Sequence, residues 1–315
     1  MSLRQLEYLV TLAEEGSFTR AAERLFVTQP ALSHQLRELE QDLGGRLLER
    51  LPRGVRLTAL GRAVLEDARL ALGAAERVRR TAGLVVGGEA GQLEIATVLS
   101  VAAGVLPKTL KTWSDRRPGV VTRLQEFRHK AAMEAAVSSG LGDLALGPRP
   151  AQWSGSLVSL GAEEFVVVLP TDDPLAGGSD VIDLCELSER RWVLYNPEHG
   201  LSDVVATACA AAGFAPRGVA HTWQVEVAAR LAASGLGPAL VPDNAVPPGL
   251  DAAVLHLRRP LLRELAIYAR GDFVPLAREY VEVATASDLR LQAVPEGETD
   301  PAHALIMPGQ KGGLP

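Results

Sequence analysis

Apolar residues in the first sixty positions recur at helical spacing. Leu3, Leu6, Leu9, Val10 and Ala13 share one side of a predicted helix over Leu3–Glu15, which Gly16 ends. Ser17 is placed to cap a second, short helix, Phe18–Leu25, with Phe18, Ala21, Ala22 and Leu25 facing inward. Phe26 and Val27 make a tight turn into Thr28. From there Leu32, Leu36, Leu39 and Leu43 recur in steps of four, three and four, a narrow leucine stripe on a third helix. Thr28 stands where an N-cap belongs, and Pro30 falls in the first turn, where a missing N–H costs nothing. The opposite face carries Gln29, Ser33, His34, Arg37 and Gln41, all able to hydrogen-bond. Alone, such a helix is an ordinary amphipathic surface helix. With a bracing helix just before it, and small Ala21 and Ala22 allowing close approach, it reads as a helix-turn-helix whose second helix can enter a DNA major groove.

The pattern then shortens. After Gly44-Gly45, two β-like runs, Arg46–Leu51 and Val55–Thr58, flank the turn Pro52-Arg53-Gly54. This hairpin carries Arg46, Arg50, Arg53 and Arg56 against the single carboxylate Glu49. Elsewhere it would be a solvated charged hairpin; beside a helix-turn-helix it reads as a wing able to place an arginine in the minor groove. Thr58 can cap a long helix running to about Val86. Along it Ala68, Ala71, Ala75, Val78, Ala82 and Val85 alternate steps of three and four, the rhythm of a coiled coil, and Leu57, Leu60 and Val64 extend the stripe. That seam predicts a dimer through this helix, held weakly because alanine buries little area. Val85–Gly91, VVGGEAG, reads as a glycine-rich linker, since no strand precedes and no helix directly follows to make a dinucleotide-binding fingerprint.

From Gln92 onward strand-like and helix-like runs alternate. Predicted strands are Leu93–Thr97, Val120–Phe127 and Asp143–Gly147, then Glu164–Leu169, Trp192–Tyr195, Val219–Thr222, Pro238–Pro242 and Arg263–Arg270. Predicted helices are Val101–Arg116 interrupted by Pro107, Ala131–Ser139, a short one near Leu184–Ser188, Asp203–Ala212, Val225–Ser234 and Val274–Leu289. The alternation predicts a largely parallel sheet covered by helices, in two α/β lobes, with the chain returning to the first lobe near Arg263. Ala293–Pro315, rich in Pro and Gly without periodicity, is expected to be a disordered tail.

At 315 residues the chain is long enough for two or three folding units, and 47% hydrophobic residues suffice for their cores. Aromatics make up only 4%, so Leu, Val and Ala must fill those cores. No signal peptide and no membrane-spanning run is recognisable, and two cysteines, Cys185 and Cys209, suit a reducing compartment, so a cytoplasmic location is expected. The net charge of −6 does not by itself announce nucleic-acid binding; positive charge is concentrated locally, on the hairpin. Nothing points to an enzyme: there is no nucleophile elbow, HExxH or phosphate loop, and the six histidines are scattered. A secreted solute-binding protein would account for two lobes but not for the N-terminal segment.

The run LRQLEYLVTLAEEGSFTRAAERLFVTQPALSHQLRELEQDLGGRLLERLPRGVRLTALG, Leu3 to Gly61, resembles a LysR-type transcriptional regulator in residue types and spacing. Weaker echoes follow at VLPKTLKTW from Val105, SGLGDLALG from Ser139, CAAAGFAPR from Cys209 and ASGLGPALVP from Ala233. The resemblance covers the chain to about residue 292. It implies an α+β protein: a winged helix-turn-helix over residues 1–58, a linker and dimerisation helix over 59–88, and a two-lobed, periplasmic-binding-protein-like effector domain over 89–292. Lobe I would take about 91–161 and 266–292, and lobe II about 162–265. It also implies a homotetramer, a dimer of dimers, that binds double-stranded promoter DNA and responds to a small molecule held between the lobes; no cofactor, metal or membrane contact is expected from the residues. One departure is His34, where the family usually has arginine; imidazole cannot make arginine's bidentate fork to guanine.

The candidate DNA contacts are therefore Thr28, Gln29, Pro30, Ser33, His34 and Arg37 on the helix, with Arg50, Arg53 and Arg56 on the wing. For the effector, Ser100 and nearby Thr97 lie between the first strand and the following helix, where a hydroxyl and backbone N–H groups suit an anion; Ser100 also reads as a simple helix cap. Gln125, Ser202, Thr222 and Gln224 are further candidates, each equally readable as a cap or turn residue. Val98, Leu99 and Val101 suggest apolar walls, hence an organic acid with an apolar body. Cys209, among alanines on a predicted helix, reads as a buried small residue rather than a redox switch.

Overall fold

A computed structural model describes residues 1–51, 54–86, 91–294, 299–300 and 305–306, in two compact units, one built mainly on Met1–Gly91 and one mainly on the chain from Gln92 onward. Helix α1 (Leu3–Glu15) opens on a capping box in which Ser2 Oγ accepts from the Gln5 N–H at 3.3 Å and Gln5 Oε1 accepts from the Ser2 N–H at 2.9 Å. Helices α2 (Phe18–Arg24) and α3 (Gln29–Asp42) follow, then the hairpin β1 (Leu48–Leu51) and β2 (Gly54–Leu57), paired antiparallel with Leu48 opposite Leu57. Helix α4 (Ala59–Val86) completes the unit. Its core gathers Leu6, Leu9 and Leu12 of α1, Ala21 and Ala22 of α2, and Leu32, Leu36 and Leu39 of α3 around Leu47, with Leu65 and Ala68 of α4 packed against them. The first part of the predicted α4 seam is thus used within the same chain, whereas Val78 further along is 69% exposed. The side chains of Ala82 and Val85, the hairpin tip Pro52-Arg53, the Arg50 side chain and much of the glycine-rich linker lie outside the described residues.

Among the described residues, the C-terminal unit contains two large hydrophobic cores. The first is built by β3 (Gln92–Val98), α5 (Leu99–Gly104), α6 (Leu106–Arg116), β4 (Val121–Phe127), α7 (Lys130–Ser138) and β5 (Leu144–Pro148). The second belongs to β6 (Leu157–Leu169) beyond its midpoint, β7 (Val181–Ile182), β8 (Arg191–Tyr195), α8 (Gly200–Ala211), β9 (Arg217–Thr222), α9 (Val225–Ala233), β10 (Ala239–Pro242) and β11 (Ala253–Leu257). Strand β12 (Leu262–Tyr268) returns to the first core, where α10 (Pro275–Ala286) packs.

The expectation of a largely parallel sheet holds only in part. β3 pairs parallel with β4 and β5, and β8 with β9, but β12 runs antiparallel to both β5 and β6, and β6 antiparallel to β10 and β11. The reason is the crossing itself: the chain leaves the first lobe along β6 and comes back along β12, so the two must run in opposite directions. β6 also begins seven residues before the predicted Glu164, at Leu157. Gly161, at φ 118°, lies in a register shift opposite Leu265 and Ala266, which bends the strand from one core to the other. β7 and β11 are not among the predicted strands. Of the expected disordered tail, most lies outside the described residues; Leu305–Ile306 pairs with Leu262 and Arg263 of β12.

Candidate functional site

Because Leu32, Leu36 and Leu39 are fully turned into the core, the opposite face of α3 is left open. Thr28, Gln29, Pro30, His34 and Arg37 are exposed and Ser33 is half-buried, so the six helical candidates share one surface. Thr28 caps the helix, its Oγ1 accepting from the Ala31 N–H at 3.4 Å. Arg37 Nε donates to the Ser33 carbonyl at 3.1 Å, and His34 Nδ1 lies 3.6 Å from Glu38. The wing is held from two sides. Glu40 Oε1 accepts from the N–H groups of Leu47 and Leu48 at 2.8 and 3.2 Å, and the Val55 N–H donates to the Gly16 carbonyl at 3.1 Å. Arg56 is exposed beside Glu49, 2.7 Å away; Arg53 and the Arg50 side chain lie outside the described residues. Glu40 escaped the sequence reading because a carboxylate near a helix end normally reads as solvated.

Within the C-terminal unit, a cleft of about 600 Å³ opens between the two cores. One wall comes from Val98, Leu99, Ser100, Arg128, Lys130 and Glu134, the other from His199, Gly200, Leu201, Asp203 and Val204, with Arg263 also lining it. The lobes touch where the Gly200 N–H donates to the Arg128 carbonyl at 2.8 Å. Ser100 Oγ accepts from an Arg263 Nη at 2.9 Å. Arg263 in turn donates from Nε to Glu163 Oε1 at 2.6 Å, and Asn244 Nδ2 donates to Glu163 Oε2 at 3.1 Å. This chain of buried polar groups therefore ends at a hydroxyl in the cleft.

His199 is 2% exposed and forms the N-cap of α8. Its Nδ1 accepts from the Leu201 N–H at 3.0 Å, which puts the imidazole proton on Nε2, a buried nitrogen with no partner among the described residues. Burial, together with the positive charge of Arg263 and then His129, lowers its pKa from the usual 6.5 to about 4. The ring stacks on Tyr195, centroids 4.9 Å apart, so the donor is rigidly held. Across the cleft, the Arg128 guanidinium lies 4.4 Å over the Trp223 ring. Lys130 and Glu134 face each other at 3.6 Å; burial lowers the pKa of the first and raises that of the second, so each is eased toward neutrality.

The His199 shift has a measurable consequence. Unfolded, the ring takes up a proton near pH 6.5; folded, only near pH 4, so the unfolded chain binds more protons between these values and stability falls as pH falls through that window. Asparagine can keep the cap without titrating. Wild type is expected to lose stability relative to His199→Asn as pH drops from about 6.5 to about 4; a difference that stays flat in paired urea titrations would refute it. Comparing the two proteins cancels the opposite contribution of His256, whose pKa Glu164 raises.

Of the six predicted effector residues, Ser100 lines the cleft and the other five do not. Thr97 is fully buried on β3, its Oγ1 reaching the Val98 carbonyl at 3.5 Å. Gln125 donates to Glu94 Oε1 at 3.1 Å. The Ser202 N–H is bonded to the His199 carbonyl at 2.8 Å, Thr222 Oγ1 accepts from the Gln224 N–H at 3.1 Å, and Gln224 is the exposed N-cap residue of α9. Sequence reading missed Arg263, whose signal is an Arg-Glu pair inside the apolar run Leu261–Tyr268, and His199, whose signal is a histidine just ahead of a helix start. Cys185 is exposed and Cys209 buried, both free; burial pushes the Cys209 thiol up to about 12, which suits the predicted packing role. Among the described residues, no cluster of His, Cys, Asp and Glu could hold a metal, and no helix is long and apolar enough to cross a membrane.

Residues 3–62 match the family described as bacterial regulatory helix-turn-helix protein, lysR family, and residues 87–287 match the LysR substrate binding domain. The HTH-type transcriptional regulator TdfR of Cupriavidus pinatubonensis is 33% identical over 302 residues, covering 92% of this chain and 96% of that protein. The structure of a full-length OxyR variant from Pseudomonas aeruginosa superposes with a TM-score of 0.66 at 27% identity, over 94% of this chain and 99% of that one. Full-length CbnR complexed with its target DNA gives a TM-score of 0.63 at 26% identity, over 90% and 99% of the two chains.

Proposed function

The chain belongs to the LysR family of transcriptional regulators, DNA-binding proteins with an effector-binding domain rather than enzymes, and from that premise we propose which residues make each contact. Thr28, Gln29, Pro30, Ser33, His34 and Arg37 meet the major groove, and Arg50, Arg53 and Arg56 of the wing meet the adjacent minor groove and phosphates. Residues 1–58 act as the DNA-binding domain, 59–88 as the linker and dimerisation helix, and 89–292 as the effector domain. Val78, apolar and exposed on α4, supports pairing of that helix with a second copy. The working form is a cytoplasmic homotetramer, a dimer of dimers.

The effector is a small organic anion with an apolar body, held in the cleft. The observation that carries this is the His199 Nε2–H, a buried donor without a partner among the described residues, in a cleft that also holds the Ser100 hydroxyl, the Arg263 and Arg128 cations and the apolar walls of Val98, Leu99 and Val204. A carboxylate would satisfy that donor and add charge-assisted hydrogen bonds. The test begins with a genomic footprint, whose neighbouring genes narrow the choice of carboxylates to titrate by calorimetry. The ligand so found should bind Ser100→Ala at least about tenfold more weakly, one lost hydrogen bond to a charged group, with promoter binding by the unliganded protein unchanged. Equal affinity of the two proteins would remove Ser100 from the site.

A further inference from the structure

The turn between α2 and α3 carries a residue that the free protein has no reason to prefer. The Val27 N–H donates to the Ala22 carbonyl at 3.0 Å and the Phe26 N–H to the Glu23 carbonyl at 3.2 Å, with Leu25 as the C-cap of α2. This is a Schellman motif, and Phe26 fills its left-handed position at φ 54°, where glycine, or failing that asparagine, is usual because a β-carbon is strained there. Strain of this kind is commonly offset by packing. Here it is not, since the Phe26 side chain is 95% exposed. Backbone strain and an unburied ring coincide at one residue, two positions before the cap of the DNA-facing helix.

We propose that Phe26 packs its ring against the sugar–phosphate backbone bordering the major groove when α3 docks. The surface is continuous: Thr28, Gln29, Pro30 and Ala31 are exposed without a break beside it, while Val27 packs into the core and fixes the turn. A single ring is far too small to hold two protein copies together. It matches the apolar face of one deoxyribose, and a backbone contact made by it positions the helix without reading sequence. The inference rests on DNA binding by this face.

The test uses the full-length chain and a random-sequence duplex, because a backbone contact does not require the natural operator. Phe26→Asn relieves the strain, so amide exchange across α2 and α3 should slow or stay unchanged. Its affinity for the duplex should fall by about fivefold, the loss of one aromatic anchor. The slope of affinity against salt should stay at the wild-type value, since no phosphate charge is involved; Arg53→Ala, by contrast, should lower the slope by about one. Phe26→Tyr should retain wild-type affinity. Phe26→Asn binding as tightly as wild type overturns the proposal, as does an affinity loss accompanied by a smaller salt slope or by a lower oligomer mass. Failure of the wild-type protein itself to bind any duplex would overturn the DNA assignment of this face and the inference with it.

Discussion

Replacing Arg263 by methionine is expected to destabilise the C-terminal unit by about 3–5 kcal/mol, the usual consequence of removing one partner from a buried ion pair. Glu163 is 1% exposed, and its carboxylate is met by Arg263 and Asn244. Without the guanidinium, one oxygen loses its partner in a place water does not reach, and the charge must be neutralised or the strand opened. Arg263 and Glu163 also stand opposite each other in the register of β12 and β6, the two strands on which the chain passes between the lobes. The loss therefore falls at the crossing, and it frees the Ser100 hydroxyl from its Arg263 donor. The double variant Arg263→Met with Glu163→Met should recover most of the stability, because a well-packed apolar pair replaces the ion pair without leaving a charge behind. All four tryptophans, Trp113, Trp153, Trp192 and Trp223, lie in this unit, so tryptophan fluorescence during urea titration reports on it alone. A single variant within about 1 kcal/mol of wild type would show that water or a neighbouring group already compensates Glu163.

Why Arg263 had to await the structure, while α1 could be delimited to the residue, follows from where the information lies. The leucine periods of α1 and α3 are local, and each fixes a buried face before any partner is known; α1 runs over Leu3–Glu15 as the spacing predicts. The winged helix-turn-helix and the two-lobed α/β unit were legible for the same reason, together with the resemblance over Leu3–Gly61. What stayed hidden depends on distant pairing. β6 reads as a strand only from Glu164 because Leu157–Glu163 contains Gly161, and no local pattern says that a glycine in a strand bends it between two cores. Ser100 was visible through its place just after the first strand, although it falls inside α5 and does not cap it; the N-cap position is Val98. The residues that meet Ser100 or face it, Arg263 and His199, come from 163 and 99 positions later in the chain, and their sequence neighbours do not mark them as cleft residues. Polar residues at turns, such as Thr222 and Gln224, drew attention that their actual hydrogen bond, one to the other across two positions, accounts for.

Gly61→Ala is expected to reduce DNA affinity at least about tenfold, although Gly61 is not itself a proposed DNA contact, because the wing rests on it. A β-carbon at Gly61 would fall on the Leu47 carbonyl oxygen and lie 2.9 Å from the carbonyl carbon, closer than real Cβ contacts come. That carbonyl cannot simply rotate away. It accepts from the Thr58 N–H at 2.9 Å, while the Leu47 N–H is held by Glu40 at 2.8 Å and the Leu47 side chain is fully buried. Thr58 adds two further ties, donating from Oγ1 to the Arg46 carbonyl at 2.7 Å and accepting from the Gly61 N–H at 2.9 Å. Relief requires β1 to shift by roughly 1 Å against α4, which costs about 1–3 kcal/mol of packing and re-aims Arg56 and the rest of the wing relative to α3. Anisotropy titration with promoter DNA should show the loss, and faster amide exchange in Leu48–Leu57 should locate it. The tryptophan transition should not move, since every tryptophan belongs to the other unit. Wild-type affinity in Gly61→Ala would mean that the wing can be displaced without consequence, and DNA recognition would then have to be carried by α3 alone.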